Sequence, residues 1–180
     1  MEKDLLEIIQ NYGVLNQLEY YQTEVWELNE AIIDYTYVEV YKGSPAEKYH
    51  KQHIVEELAD NFVMLYQFPY YYYELLDDIN VESYIFTTDN YNHIDDIQQY
   101  LKDFQKDIFK LTKVILHAEE REQDYISIYT YDLVIEVLDT VLYKLVSIKE
   151  YYHITDNQIK EVMKYKILRQ KKRMDEENEK

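Results

Sequence analysis

The chain has 180 residues, a formal net charge of −17 and no cysteine, which excludes disulfide and thiol chemistry. So acidic a surface repels duplex nucleic acid and anionic membranes, and no apolar run approaches the roughly 20 residues that span a bilayer. The segment from Met1 to Asp4 lacks the apolar stretch of a signal peptide, so we predict a cytoplasmic protein.

The scarcity of turn residues, two glycines and two prolines, predicts long helices joined by few connections. Apolar residues recur at spacings of three and four along most of the chain, which is helical periodicity. Capping boxes start helices at Ser44 and Thr155, and the third helix should kink or stop near Pro69. The predicted helices span 2–12, 14–42, 46–68, 94–119, 125–150 and 155–174, with a connector over 69–93.

Residues 14–68 and 94–150 carry similar patterns. When the two sequence segments are aligned, acidic residues coincide as well as apolar ones. Glu57 aligns with Glu136, and Asp60 aligns with Asp139. Amphipathic helices align their apolar stripes whatever their ancestry, but matched acids on both helix pairs favour an internal duplication.

We therefore predict one all-α domain over 1–180, a helical bundle of two similar helix pairs related by a pseudo-twofold axis. Each pair alone would expose a wide apolar face. Packing the pairs together is expected to bury Trp26 and Leu28 of one pair and Phe109 and Leu111 of the other.

Two acidic pairs stand at helical spacing, Glu24 with Glu27 and Glu57 with Asp60. Residues three apart share a helix face, so antiparallel packing of the two helices would bring four carboxylates together. Burying like charges unpaired is costly, and a divalent cation with oxygen ligands would relieve that repulsion. Because 36 of the 180 residues are acidic, such spacings also arise by chance on solvated faces, and the residues alone leave both interpretations open.

The stretches 12–18, 24–28 and 53–62, the last containing Glu-Glu-Leu-Ala-Asp, resemble MazG-like nucleotide pyrophosphohydrolases. The resemblance implies an all-α NTP pyrophosphohydrolase-like fold and cleavage of a nucleoside triphosphate to a monophosphate and pyrophosphate. It implies a site for Mg²⁺, or Mn²⁺, held by the acids of two motifs, E-x-x-E and E-x-x-D: Glu24, Glu27, Glu57 and Asp60. Glu27 and Glu57 are the candidates for the catalytic base.

The second helix pair departs from this pattern, because its first motif has become Asp107-x-x-Lys110. An ammonium stands where a ligand carboxylate is expected, so the chain resembles a tandem duplication with a degenerate second half. On the last helix, Lys166 and Arg169 lie three apart and are candidates to bind substrate phosphates. The alternative is that they are solvated cations that favour the helix C-terminal dipole.

Two functions stay open at this point. The first is a Mg²⁺-dependent nucleotide pyrophosphohydrolase; the second is a catalytically inactive nucleotide-binding protein or protein inhibitor that retains the fold. A helical interaction module whose charge mimics nucleic acid is a weaker third. The expected partner is a nucleotide, without a membrane or duplex nucleic acid, and the fold allows self-association.

Overall fold

The computed structural model describes residues 1–74, 93–120 and 128–178. Helices make up almost all of this part, which contains no strand, so the all-α prediction is confirmed. Their bounds are α1 Glu2–Tyr12, α2 Val14–Val38, α3 Pro45–Glu74, α4 Ile97–Glu120, α5 Ile128–Tyr151 and α6 Asp156–Asn178, with a short 3-10 turn at Glu39–Tyr41. None of these helices combines the length and the apolarity that crossing a membrane requires.

Helix α3 is the centre of the bundle and packs against α1, α2, α5 and α6. Every residue from Asn61 to Tyr70 is buried, which is typical of a helix covered on all sides. The helix does not stop at Pro69 as predicted but continues to Glu74. Packing on every side of this segment offsets the roughly 3 kcal/mol that an internal proline costs. The rest of the predicted connector, 75–92, lies outside the described residues.

Both predicted N-caps are present, and the full capping box forms at Thr155, whereas at Ser44 the Glu47 carboxylate accepts from the Gly43 amide at 3.2 Å instead of from the Ser44 amide. The Ser44 Oγ accepts a hydrogen bond from the Glu47 amide at 3.1 Å, and the Thr155 Oγ1 accepts one from the Gln158 amide at 3.3 Å. These side chains satisfy amide groups that the first turn of a helix leaves without partners. At the junction of α1 and α2, Gly13 has a φ of 84°, a conformation that other residues adopt only with strain.

The predicted burial of Trp26 and Phe109 is wrong. Leu28 and Leu111 are fully buried, whereas Trp26 is 68% exposed and Phe109 is 62% exposed. The contact between α2 and α4 is narrow, and the groove beside it is lined by Trp26 and Phe109 but not by the leucines, so the aromatic rings stay exposed. The apolar stripe of each helix is wider than the surface that its neighbours cover.

Two features of this bundle set up the site. First, α2 and α3 pack side by side over much of their length, and Asn61 Nδ2 donates hydrogen bonds to the carbonyl oxygens of Glu24 at 2.8 Å and of Glu57 at 2.9 Å. Second, α6 returns from the end of the chain to pack against α3 and α1. A basic helix thereby lies beside the acidic residues of α2 and α3.

Candidate metal centre

Three of the four predicted ligands converge. Glu24 of α2 and Glu57 and Asp60 of α3 each offer one carboxylate oxygen, and these oxygens all lie within 4.8 Å of one another. Glu27 lies outside this group. It lines the same cavity from an exposed position on α2.

The cavity holds about 450 Å³ and is lined by residues of α1, α2, α3 and α6. The four predicted acids contribute to it, and so do both predicted phosphate-binding residues, Lys166 and Arg169. Sequence reasoning missed several other lining residues: Tyr12, Gln17, Tyr20, Met64, Gln170, Arg173 and Glu177. Of these, Arg173 had a signal in the sequence, because it stands seven residues after Lys166 and so shares its helix face.

The negative charges of the three carboxylates repel one another. Burial, followed by the negative charges of Asp60, Glu27 and Glu57, raises the pKa of Glu24 to about 8. Burial also raises the pKa of Glu57 and, against the opposing effect of Lys166, that of Asp60. Added positive charge at the point where the three oxygens meet would favour ionisation of all three carboxyl groups.

The strongest sign that the cluster fits a cation is an unsatisfied atom of Glu57. This residue is 8% exposed; its Oε1 lies 3.2 Å from His53 Nε2, while its Oε2 is buried and accepts no hydrogen bond from the residues that the structure describes. A buried acceptor without a partner costs about 1–3 kcal/mol. Mg²⁺ and Mn²⁺ both take carboxylate oxygens, so either ion would supply what this oxygen lacks.

Lys166 brings a positive charge to the cluster from within the chain. Its ammonium forms an ion pair and hydrogen bond with Asp60 Oδ2, and the two side chains are 14% and 16% exposed. Arg169, one turn further along α6, also lowers the pKa of Asp60 through its charge. The basic helix therefore balances part of the acidic charge and adds cationic donors to the cavity.

The equivalent residues of the second helix pair form no such cluster within the described residues. Glu136 and Asp139 are exposed on α5. Asp107 pairs with Lys144 at 2.6 Å, while Lys110, which stands where the pattern expects a ligand carboxylate, is exposed. An ion pair between α4 and α5 thus replaces the converging carboxylates found between α2 and α3.

Comparison with protein-family models, with curated proteins and with solved structures gives no match to this chain. The likeness to MazG-like hydrolases therefore rests on the motif residues themselves.

Proposed function

We propose that the chain is a Mg²⁺-dependent nucleotide pyrophosphohydrolase that cleaves a nucleoside triphosphate to a monophosphate and pyrophosphate. The observation that supports it most is the convergence of the Glu24, Glu57 and Asp60 oxygens within 4.8 Å, with an unsatisfied oxygen on Glu57. A cavity of about 450 Å³ is in the size range of small-molecule sites.

In this proposal Glu24, Glu57 and Asp60 hold Mg²⁺ or Mn²⁺. When bound, the ion would polarise phosphate oxygens and lower the pKa of a coordinated water. Lys166 and Arg169 bind the phosphate chain through charge-assisted hydrogen bonds. The bond between the α- and β-phosphoryl groups breaks, water adds to the α-phosphorus, and its proton passes to a carboxylate.

Two carboxylates are candidates for that proton. Glu27 lies at the edge of the cavity and outside the converging group, so it is free to act without giving up a cation ligand. Glu57 belongs to the cluster itself, so it would take the proton on the carboxylate oxygen that the cation does not use. Either would act as a general base towards a water held against the phosphate.

We also propose that the bundle has an NTP pyrophosphohydrolase-like fold produced by duplication, with a pseudo-twofold axis between the helix pairs and a degenerate second half. A groove between α2 and α4 supports this, because four matched pairs of residues line it. They are Gln22 with Gln105, Val25 with Ile108, Trp26 with Phe109, and Asn29 with Thr112. Matched positions facing one groove are expected if a twofold axis passes between the two helices.

A second candidate function is an inactive nucleotide-binding protein or protein inhibitor. The ion pair of Lys166 with Asp60 favours it, because an internal ammonium can balance the acids without a divalent ion. The two candidates predict the same cavity and differ only in turnover.

The test is incubation of the full chain with a panel of nucleoside triphosphates and Mg²⁺, with pyrophosphate and orthophosphate measured separately. The hydrolase predicts pyrophosphate from at least one nucleotide, and none when EDTA removes the divalent ion. Nucleotide binding by calorimetry without any product would favour the inactive binding protein instead. If the chain neither binds nor cleaves any nucleotide, the hydrolase and the nucleotide-binding protein are both wrong, and the protein inhibitor is the candidate that is left.

A further inference from the structure

The exposed Trp26 and Phe109 belong to one apolar surface formed by α2 and α4. They line opposite sides of the groove between these helices, which holds about 370 Å³. Seven residues further along each helix, Ile33 and Leu116 are 44% and 41% exposed. A spacing of seven keeps a residue on the same helix face, so each helix presents an aromatic and an aliphatic side chain in one row.

The charges beside these rows are opposite on the two helices. Glu19 and Glu30 stand seven residues before and four after Trp26, and Lys102 and Lys113 have the same offsets from Phe109. All four are exposed. In the described part of the chain none of the four forms an ion pair, although Lys113 Nζ lies 4.6 Å from the centroid of the Phe109 ring.

The same separation of charge extends along both helices. Every exposed charged residue of α2 between positions 19 and 34 is acidic, whereas α4 exposes Lys102, Lys106, Lys110 and Lys113, of which Lys106 pairs with the partly exposed Asp103 at 2.7 Å. The four lysines are conspicuous in a chain of net charge −17. The α2/α4 face is defined here as these two rows: Glu19, Trp26, Glu30 and Ile33 with Lys102, Phe109, Lys113 and Leu116.

We propose that the α2/α4 face is a dimer interface, packed against the same face of a second copy with α2 of each protomer lying on α4 of the other. Twofold contacts use the same surface patch on both subunits. This arrangement sets the acidic row against the lysine row twice, with the aromatic rings between them. The alternative twofold arrangement, α2 on α2, would bring acid onto acid.

A second copy fits this face better than a foreign partner of one charge. An acidic partner would be repelled by α2 and a basic partner by α4, whereas another copy of the chain carries both rows at matching positions. Charge complementarity of this kind fixes the orientation of two surfaces and disfavours the wrong one.

The size of the face predicts a weak dimer. The row from Glu19 to Ile33 is about 22 Å long at 1.5 Å per residue, and two helices side by side are about 20 Å wide. That is about 450 Å² on each copy, or about 900 Å² in total, near the lower limit for specific interfaces. We therefore expect micromolar dissociation that weakens with added salt.

Charge reversal tests the proposal on the full chain by sedimentation equilibrium. E19K/E30K makes both rows basic and K102E/K113E makes both rows acidic, so each variant alone should be monomeric. An equimolar mixture should dimerise, because the basic rows of one variant then meet the acidic rows of the other. The control E161K/D175K changes two exposed acids of α6, away from the face, and should dimerise as the parent does.

Melting temperatures establish that each variant is folded. A parent chain that stays monomeric at millimolar concentration would overturn the proposal. So would a parent dimer that persists in both charge-reversed variants, or an equimolar mixture that stays monomeric while both variants are folded.

Discussion

Burial and three neighbouring acids disfavour the ionised form of the Glu24 side chain. Its pKa is therefore raised from 4.5 to about 8. Between these two values the folded chain binds a proton that the unfolded chain has released. The free energy of unfolding therefore falls as pH rises through this range. The residue destabilises the fold at neutral pH unless a cation is bound, which is the pattern expected of a residue kept for a site.

Glu24→Gln should accordingly stabilise the chain in EDTA at pH 7.5. An amide carries no charge to bury, and after allowing for partial exposure the gain is about 1–2 kcal/mol, which raises the melting temperature by about 2–8 °C. The gain should shrink towards pH 5, and Mg²⁺ should stabilise the variant less than the parent. Asp34→Asn, exposed on the same helix and outside the α2/α4 face, is the control. Equal or lower stability of Glu24→Gln at pH 7.5 would contradict the charge conflict.

Glu57 and Glu136 occupy matched positions but different surroundings. Glu57→Gln removes one of the converging oxygens and should lower kcat/KM by at least about 100-fold. The reason is that the bound ion would stabilise the transition state by several kcal/mol. Glu136→Gln changes an exposed residue of α5 and should leave turnover nearly intact. If both variants are folded and both lose activity, the second helix pair takes part in the reaction.

Lys166 has two partners in the proposal, Asp60 and the substrate phosphates. Lys166→Gln should raise KM about tenfold or more, since a hydrogen bond to a charged group contributes about 1.5–3 kcal/mol. Without nucleotide, the same variant should bind Mg²⁺ more tightly, because the Lys166 ammonium no longer competes with the ion for the Asp60 carboxylate. Calorimetry and steady-state kinetics measure the two effects. Lys164→Gln, exposed on the same helix, is the control; if it matches Lys166→Gln in both measurements, only net charge is involved.

At the scale of helices, local signals predicted the capped starts of α3 and α6 well and the end of α3 poorly. The N-cap hydrogen bonds at Ser44 and Thr155 join residues three apart in the sequence, so they do not depend on contacts with other helices. Passage of α3 through Pro69 depends instead on burial by four other helices. The exposure of Trp26 likewise depends on how closely α2 and α4 approach, which an apolar stripe does not specify.

Asn61 connects the two helices that carry the acids. Its side chain donates to the Glu24 carbonyl on α2 as well as to the Glu57 carbonyl on its own helix. Asn61→Ala should therefore cost about 1–3 kcal/mol and weaken Mg²⁺ binding, because α2 loses a hydrogen bond to α3. Asn29→Ala is a matched control, since Asn29 is also buried but donates only within α2, to Val25 O at 2.8 Å. Chemical denaturation and calorimetry provide the two measurements. If both variants bind Mg²⁺ as the parent does, Asn61 does not position the acids.

On the scale of the whole molecule, the cavity joins segments far apart in sequence. The ion pair of Lys166 with Asp60 spans 106 residues, and Tyr12 reaches Glu177 across 165 residues at 3.3 Å. The acid pairs could be predicted because each lies within one helical turn. Residues such as Tyr12 and Tyr20 could not, because only the docking of α6 against α1 and α3 makes them part of the cavity.

The net charge of −17 is distributed unevenly over the molecule. The basic residues of α6 lie beside the acids of α2 and α3, and the lysines of α4 lie on the surface next to the acidic row of α2. Local regions of positive charge let an acidic protein meet an anionic substrate or another copy of itself, which net charge alone would disfavour.

The proposed pyrophosphohydrolase activity is tested most directly by the ratio of products from one nucleoside triphosphate. Phosphorus NMR measures this ratio during a reaction with Mg²⁺ present. The proposal predicts one pyrophosphate for each monophosphate, no diphosphate, and loss of both products in EDTA or with Glu57→Gln. Orthophosphate with a nucleoside diphosphate would contradict it, and so would cleavage that continues without a divalent ion or at the parent rate in Glu57→Gln.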